Sequence, residues 1–238
     1  RSGFVNILGI PNSGKSTLIN KLVGKKVSIV SNKVQTTRFC IRGICSHTFD
    51  DLSKCQIILI DTPGIFPAKR RLDKAMVSAA WSELKHSDKV IFIHDVTKSF
   101  EDNTLDVINQ IFKIKTDVIL VLNKIDLLPK DKLLKKIQHI QSLYDFAKVF
   151  LVSALNGSGC NELIEYLADS MPTHPFMYDN NTISDLPLSI LASEITREKL
   201  FKNLNKELPY NLMVETEKWD VNNDKSINIQ QTIYVNKN

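Results

Sequence analysis

Residues 9 to 16 read Gly9-Ile10-Pro11-Asn12-Ser13-Gly14-Lys15-Ser16, a complete Gly-x-x-x-x-Gly-Lys-Ser phosphate-binding loop. The loop follows the apolar run Phe4-Val5-Asn6-Ile7-Leu8 and opens a helical pattern, Ser16-Thr17-Leu18-Ile19-Asn20-Lys21-Leu22-Val23. Strand, loop and helix in that order are the context this motif needs. The glycines let the backbone curl so that several N–H groups face phosphate oxygens, and the helix N-terminus adds partial positive charge. Lys15 can reach the β and γ phosphates, and Ser16 can ligate Mg²⁺. The expected ligand is a nucleoside triphosphate, held by residues 9–17 (Gly9 through Thr17).

The rest of the chain must supply a fold that carries such a loop. Apolar runs recur at Ile57–Ile60, Val90–Ile93, Val118–Leu122 and Val149–Val152, as suits strands buried on both faces. Helical patterns lie between them, near residues 70–86, 102–113, 131–145 and 160–169. That alternation predicts an α/β fold, a mostly parallel sheet with helices on both faces. Phe39–Phe49 is strand-like as well, and its short connection to the next strand predicts an antiparallel hairpin. Met171-Pro172-Thr173-His174-Pro175 breaks the pattern. The predicted organisation is a nucleotide-binding domain over 1–172, a linker over 173–187, and a small module over 188–238. That module contains a helix (Leu188–Asn205) and two strands (Tyr210–Trp219 and Ser226–Val235).

No apolar run approaches the ~20 residues that span a bilayer. The chain opens on Arg1-Ser2 and runs at once into a strand, which reads as an excerpt. Four cysteines without metal or paired spacing suit a reducing compartment. Residues 1–170 carry 24 Lys and Arg against 17 Asp and Glu, and residues 171–238 carry 7 against 9. A mildly basic first part tolerates nucleic acid but is equally an ordinary solvated surface.

Three further segments bear on the nucleotide. Asp61-Thr62-Pro63-Gly64 follows the strand Ile57–Ile60. Its Asp can hold Mg²⁺, usually through a water, and the Gly64 N–H can approach a γ-phosphate. Asn123-Lys124-Ile125-Asp126 follows another buried strand. A carboxylate at Asp126 accepts from guanine N1–H and its 2-amino group. Adenine offers neither donor and would leave a buried carboxylate unpaired, at a cost of about 10⁴-fold. Lys124 can lay its stem across the base, and Asn123 can tie this loop to the phosphate loop. Ser153-Ala154-Leu155, after Val149–Val152, would bring a backbone N–H near guanine O6.

Four motifs in this order resemble the GTPase superfamily over residues 4–170. The resemblance implies a Thr that ligates Mg²⁺ only when the γ-phosphate is present. Gln35-Thr36-Thr37-Arg38 offers Thr37, favoured because it precedes Arg directly, with Thr36 as the alternative. Lys15, Thr37 and Gly64 are then the catalytic set. Ile65 stands where signalling members carry a water-orienting Gln, which matches the hydrophobic-substituted members of translation and ribosome assembly. Asn12 is either the residue that helps bind K⁺ in potassium-activated relatives or a local turn stabiliser.

Val27-Ser28-Ile29-Val30-Ser31, the Gln35–Arg38 stretch, and Ala192-Ser193-Glu194-Ile195-Thr196-Arg197-Glu198-Lys199-Leu200 with Glu207-Leu208-Pro209-Tyr210 after it resemble the bacterial Era GTPase family over the whole chain. The resemblance implies a GTPase domain followed by a type II KH domain that binds the 3′ end of 16S ribosomal RNA. It also implies a role in 30S subunit maturation, with some peripheral association at the inner membrane face. The expected ions are Mg²⁺ and, if Asn12 takes its potassium-binding role, K⁺, and the expected state is a cytoplasmic monomer. One family feature is absent. KH domains grip RNA through a Gly-x-x-Gly loop, and the last glycine here is Gly159. Residues 188–238 are therefore expected to form a partial, truncated KH module, and this chain alone to bind RNA poorly. The readings set against this are another potassium-dependent GTPase acting on ribosome or tRNA, and a GTP-sensing RNA-binding module with negligible turnover. His94-Asp95 reads as a packed histidine and a turn-capping aspartate rather than an acid–base pair. Lys69-Arg70-Arg71 reads as a solvated loop.

Overall fold

The structure, a computed structural model, describes residues 1–31, 40–63, 71–100, 102–204 and 212–235. It contains a six-stranded sheet built from β1 (Ser2–Leu8), β2 (Ile41–Thr48), β3 (Lys54–Asp61), β4 (Lys89–Asp95), β5 (Val118–Asn123) and β6 (Lys148–Val152). The strand order is β2-β3-β1-β4-β5-β6. Every pair is parallel except β2 with β3. The hairpin expected from the short Asp50–Ser53 connection is therefore present.

The continuous apolar runs are explained by two cores, one on each face. Val5, Ile7, Ile57, Leu59, Ile91, Ile93, Ile119 and Val121 point to one side, under α1 (Lys15–Val23) and α5 (Cys160–Ser170). Leu8, Val90, Phe92, Val118, Leu120 and Leu122 point to the other. There they meet α2 (Arg71–His86), α3 (Asp102–Phe112) and α4 (Lys130–Leu143). Period-two alternation sends successive residues to opposite faces, and both faces are covered, so the runs Ile57–Ile60, Val90–Ile93 and Val118–Leu122 are apolar throughout. The chain leaves β1 toward β3 and later crosses to β4 on the other side. The ends of β1, β3, β4 and β5 thus converge at a point where the strand order reverses, the crevice where such sheets take ligands.

A second, two-stranded sheet is formed by β7 (Leu212–Val221) and β8 (Ile227–Val235), with α6 (Leu188–Asn203) packed against it. β7 runs two residues past the expected Trp219. The turn lies at Asn222–Lys225, where Asn222 N–H donates to Ser226 O and Lys225 N–H to Asn222 O, so the ladder extends to Val221 opposite Ile227. Helix α6 buries charge: Glu194 and Arg197 form an ion pair with almost no exposure, and the Arg197 guanidinium lies 5.0 Å from the centre of the Phe201 ring.

The segment between the sheets is tied to the larger one. The buried side chain of Gln56 donates to Tyr178 O at 2.8 Å and accepts from the N–H groups of Met177 and Tyr178. Further on, Ile44 N–H donates to Ile183 O, Gly43 bridges Ser184, and Arg42 pairs with Asp185. The outer edge of β2 is thereby capped by residues 183–185, as an open edge requires. Lys26 pairs with Glu198 of α6. Burial works to raise the Glu198 carboxyl, and the hydrogen bonds from Lys202 and Lys26 overcome it and hold it below the usual range.

Gln56→Ala removes three hydrogen bonds and leaves a void at a fully buried site. It should cost about 1–3 kcal/mol in urea unfolding and speed proteolytic cleavage within residues 173–182. Unchanged cleavage there would mean the linker is held elsewhere.

Candidate functional site

The phosphate loop is shaped by what crowds it. A Cβ on Gly9 would lie 2.4 Å from Ile93 O, so the chain leaves β1 pressed against β4. Gly14 has φ +100°, and a Cβ there would sit 2.1 Å from the Asn123 amide nitrogen. Only glycine meets both demands. Asn123 uses that space: its amide donates to Ser13 O at 2.9 Å, and its carbonyl accepts from Ala154 N–H at 3.0 Å. One side chain therefore joins the loop after β1, the end of β5 and the loop after β6. The expected link between the Asn123 and phosphate-loop segments is present, and Ser153 and Ala154 are buried beside it while Leu155 is exposed.

Lys15 heads α1 and is buried, with its ammonium donating to Gly9 O and Ile10 O at 3.1 and 3.2 Å. Desolvation pushes its pKa down to about 8, and the nearby Asp61 carboxylate partly opposes this. Asp61 ends β3 fully buried and accepts from Ser16 Oγ at 2.8 Å and from Ser28 Oγ. Thr62 anchors the same turn through a bond to Ile7 O at 2.9 Å, and Pro63 follows it, also buried. A serine hydroxyl and a carboxylate held together beside a buried cation form a hard-oxygen donor pair that suits Mg²⁺. Among the described residues, no cluster of three His, Cys, Asp or Glu side chains could hold a metal by itself.

On the base side, Lys124 adopts the left-handed conformation (φ 67°) ahead of a short 3₁₀ turn, Ile125–Leu127. Its ammonium donates to Asn12 O at 2.9 Å and to Asp95 Oδ2 at 2.6 Å. Asn12 also has positive φ (65°). Asp126 lies in the 3₁₀ turn and is exposed. The expected buried carboxylate is not what the fold gives: Asp126 lies in the turn beyond the last residue of β5 rather than in the covered sheet, and is open to solvent. Thr36, Thr37 and Gly64, with Ile65, Lys69 and Arg70, lie outside the described residues.

Two contacts were not legible in the sequence. Ser28 belongs to a stretch quoted for its family likeness, yet nothing local assigns its hydroxyl to Asp61, 33 positions away. Asp95 does cap the turn after β4, accepting from Thr97 N–H and Oγ1. Its other oxygen holds Lys124, and that pairing is set by strand order, since Asp95 and Asn123 are neighbours in the β4–β5 ladder. His94 packs against Phe100, and burial lowers its pKa to about 4, so it is a neutral core group.

Residues 4–124 match the family described as 50S ribosome-binding GTPase. GTPase Era of Brucella suis is 48% identical over 237 residues, which is 100% of this chain and 75% of that protein. A point variant of Aquifex aeolicus Era bound to GDP and AlF₄⁻ superposes with a TM-score of 0.92 at 32% identity, covering 100% of this chain and 80% of that one. A crystal structure of Era with MgGDPNP and nucleotides 1506–1542 of 16S ribosomal RNA superposes with a TM-score of 0.91 at 32% identity, with the same coverage.

The buried cation makes a stability prediction. At pH 7 Lys15 is charged in both folded and unfolded chains, and the folded state carries the desolvation penalty. As pH rises from about 8 toward 10.5, only the unfolded chain still holds the proton, so nucleotide-free stability should climb. Lys15→Met should raise stability at pH 7 by about 1–3 kcal/mol and flatten that climb, while abolishing triphosphate binding. Denaturant unfolding at pH 7 and pH 10 checks both statements. A Lys15→Met protein less stable than the parent at pH 7 would show that the two carbonyl contacts outweigh the burial cost.

Proposed function

The chain belongs to the Era family of ribosome-binding GTPases, and on that premise we propose that it is a GTP-driven switch in small-subunit ribosome assembly. It binds GTP and hydrolyses it to GDP and phosphate. Residues 1–172 are read as the GTPase domain, 173–187 as the linker and 188–238 as part of a KH domain. The observation that carries this reading is the double hydrogen bond of Asn123, which unites the phosphate loop with the segments after β5 and β6. A phosphate cradle and a base-reading loop held in one crevice suit a guanine nucleotide.

In this reading residues 9–17 wrap the phosphates, and the Lys15 ammonium exchanges its carbonyl partners for β and γ oxygens. Ser16, Asp61 and, with a γ-phosphate present, Thr37 would hold Mg²⁺, which would supply positive charge to neutralise the phosphates. Water attacks the γ-phosphorus in line, with the Gly64 N–H and Lys15 stabilising the developing charge. Lys124 covers the base, Asp126 accepts from its N1–H and 2-amino groups, and the Ser153–Leu155 loop serves O6. Thr62 and Pro63 shape the turn that carries Asp61.

RNA enters by analogy with the Era complex that holds nucleotides 1506–1542 of 16S ribosomal RNA. That supports the small subunit rather than the 50S particle of the family description. Residues 160–238 contain no glycine, so they supply no Gly-x-x-Gly loop, and RNA capture is assigned to the family's complete KH module. A monomeric, cytoplasmic protein with peripheral membrane association completes the proposal. No helix among the described residues is long and apolar enough to cross a membrane.

Asp126→Asn should weaken GTP by about 10²-fold or more and favour xanthosine triphosphate, whose 2-oxo group meets an amide N–H. Competition binding with ATP, GTP and XTP reads this, and equal affinity of the parent for ATP and GTP would overturn the base assignment. Hydrolysis should be slow alone and faster in KCl than in NaCl, with Asn12→Ala abolishing the difference, because a monovalent cation held by Asn12 would add positive charge beside the phosphates. Identical initial rates in the two salts would reject the Asn12 assignment.

A further inference from the structure

We propose that Asp95 is a positioning residue for the nucleotide base, holding the Lys124 side chain in its base-covering orientation before any nucleotide arrives. The inference rests on the reading of Lys124 as the base-covering residue. Asp95 closes β4 beside Asn123, the residue before Lys124, and is 5% exposed. Both carboxylate oxygens are committed. Oδ1 accepts from Thr97 N–H at 2.9 Å and Thr97 Oγ1 at 2.6 Å, and Oδ2 accepts from the Lys124 ammonium at 2.6 Å. A second bond from the same ammonium runs to Asn12 O at 2.9 Å, so the cation is clamped between the end of β4 and the phosphate loop.

The clamp acts by pre-organisation. A lysine stem has four rotatable bonds, and ordering it costs conformational entropy. When the head is fixed at both ends of the crevice, the stem is laid down in the folded protein and the base does not have to order it. A neighbouring carboxylate suits this better than a backbone carbonyl alone, because a charge-assisted bond is the stronger and more directional partner. The carboxylate stays ionised to do so: burial works to raise it, and the bonds from Lys124 and Thr97 overcome that and hold it below the usual range. In the reading adopted for Lys124 its stem meets the base and not the γ-phosphate, so the contact should act on nucleotide retention and not on the hydrolytic step.

Asp95→Asn separates the two roles of the side chain. Its Oδ1 can still accept from Thr97, while its NH₂ faces the ammonium and breaks that link. With the full chain and a fluorescent GDP analogue, Asp95→Asn should speed release about tenfold and raise KM for GTP similarly, with kcat changed less than twofold. Lys124→Ala should speed release at least as much. Adding Asp95→Asn to Lys124→Ala should then add less than twofold. Asp95→Glu keeps the charge and should lie between parent and Asp95→Asn, and it serves if the amide variant does not fold. An equal effect of Asp95→Asn in both backgrounds would mean that Asp95 only braces the turn, which overturns the proposal. So would a fall in kcat with KM unchanged. If Lys124→Ala itself leaves release unchanged, the base-covering reading fails first, and that outcome is distinct from a normal Lys124 effect with a silent Asp95→Asn.

Discussion

The side-chain amide of Asn123 makes the connection on which the site depends. Backbone ladders fix the strands β1, β4, β5 and β6 side by side, yet they stop at the strand ends, where the loops begin. Asn123 reaches across that end and bonds one loop as donor and another as acceptor. Its nitrogen occupies the space that a side chain on residue 14 would fill. The glycine before Lys15 is thus required twice, once for the backbone turn and once for this amide. Cutting either bond would leave a buried polar group unpaired, which costs more than the bond itself contributes.

Around that connection the protein keeps charge where a stable core would not have it. Lys15 is buried against carbonyl oxygens with its pKa displaced to about 8, and Asp61 is fully buried against two serine hydroxyls. These groups are solvated by the protein, the ammonium by two carbonyls and the carboxylate by two hydroxyls. The cost is carried by two apolar cores that cover the sheet on both faces. Such a division, with a rigid sheet and polar strand ends, is how a stable scaffold supports strained local chemistry.

Helix α6 and the segment that leads to it are both tied to the larger sheet's unit. Residues 183–185 cap the outer edge of β2, Arg42 reaches both Asp185 and Glu83 of α2, and Lys26 reaches Glu198 of α6. Helix α6 itself is anchored by buried charge and hydroxyl pairs, including Ser193 with Thr216 and Thr196 with Gln231. These contacts are polar and directional, unlike those of the sheet cores. They fix one geometry through matched partners rather than through apolar area, and such interfaces are costly to leave half-satisfied.

The sequence by itself determined the mostly parallel sheet and the succession of its elements along the chain. Continuous apolar runs suit strands covered on both faces, and their alternation with helical patterns argues a parallel sheet. The β2–β3 hairpin followed from a connection too short for a crossover. The tertiary structure alone decided what crosses between distant segments. The partners of Asp95, Ser28, Gln56 and Glu198 lie 29, 33, about 121 and 172 positions away, and each is ordinary in its local context. Helix α6 has the same lesson in another form. Its buried face contains Glu194, Arg197 and Glu198, which an apolar-periodicity argument assigns to solvent, because burial of a charge is decided by the partner that meets it and not by the helix that carries it. Asp126 is the converse: its identity is plain from the motif, while its exposure depends on what the fold leaves uncovered at the end of β5.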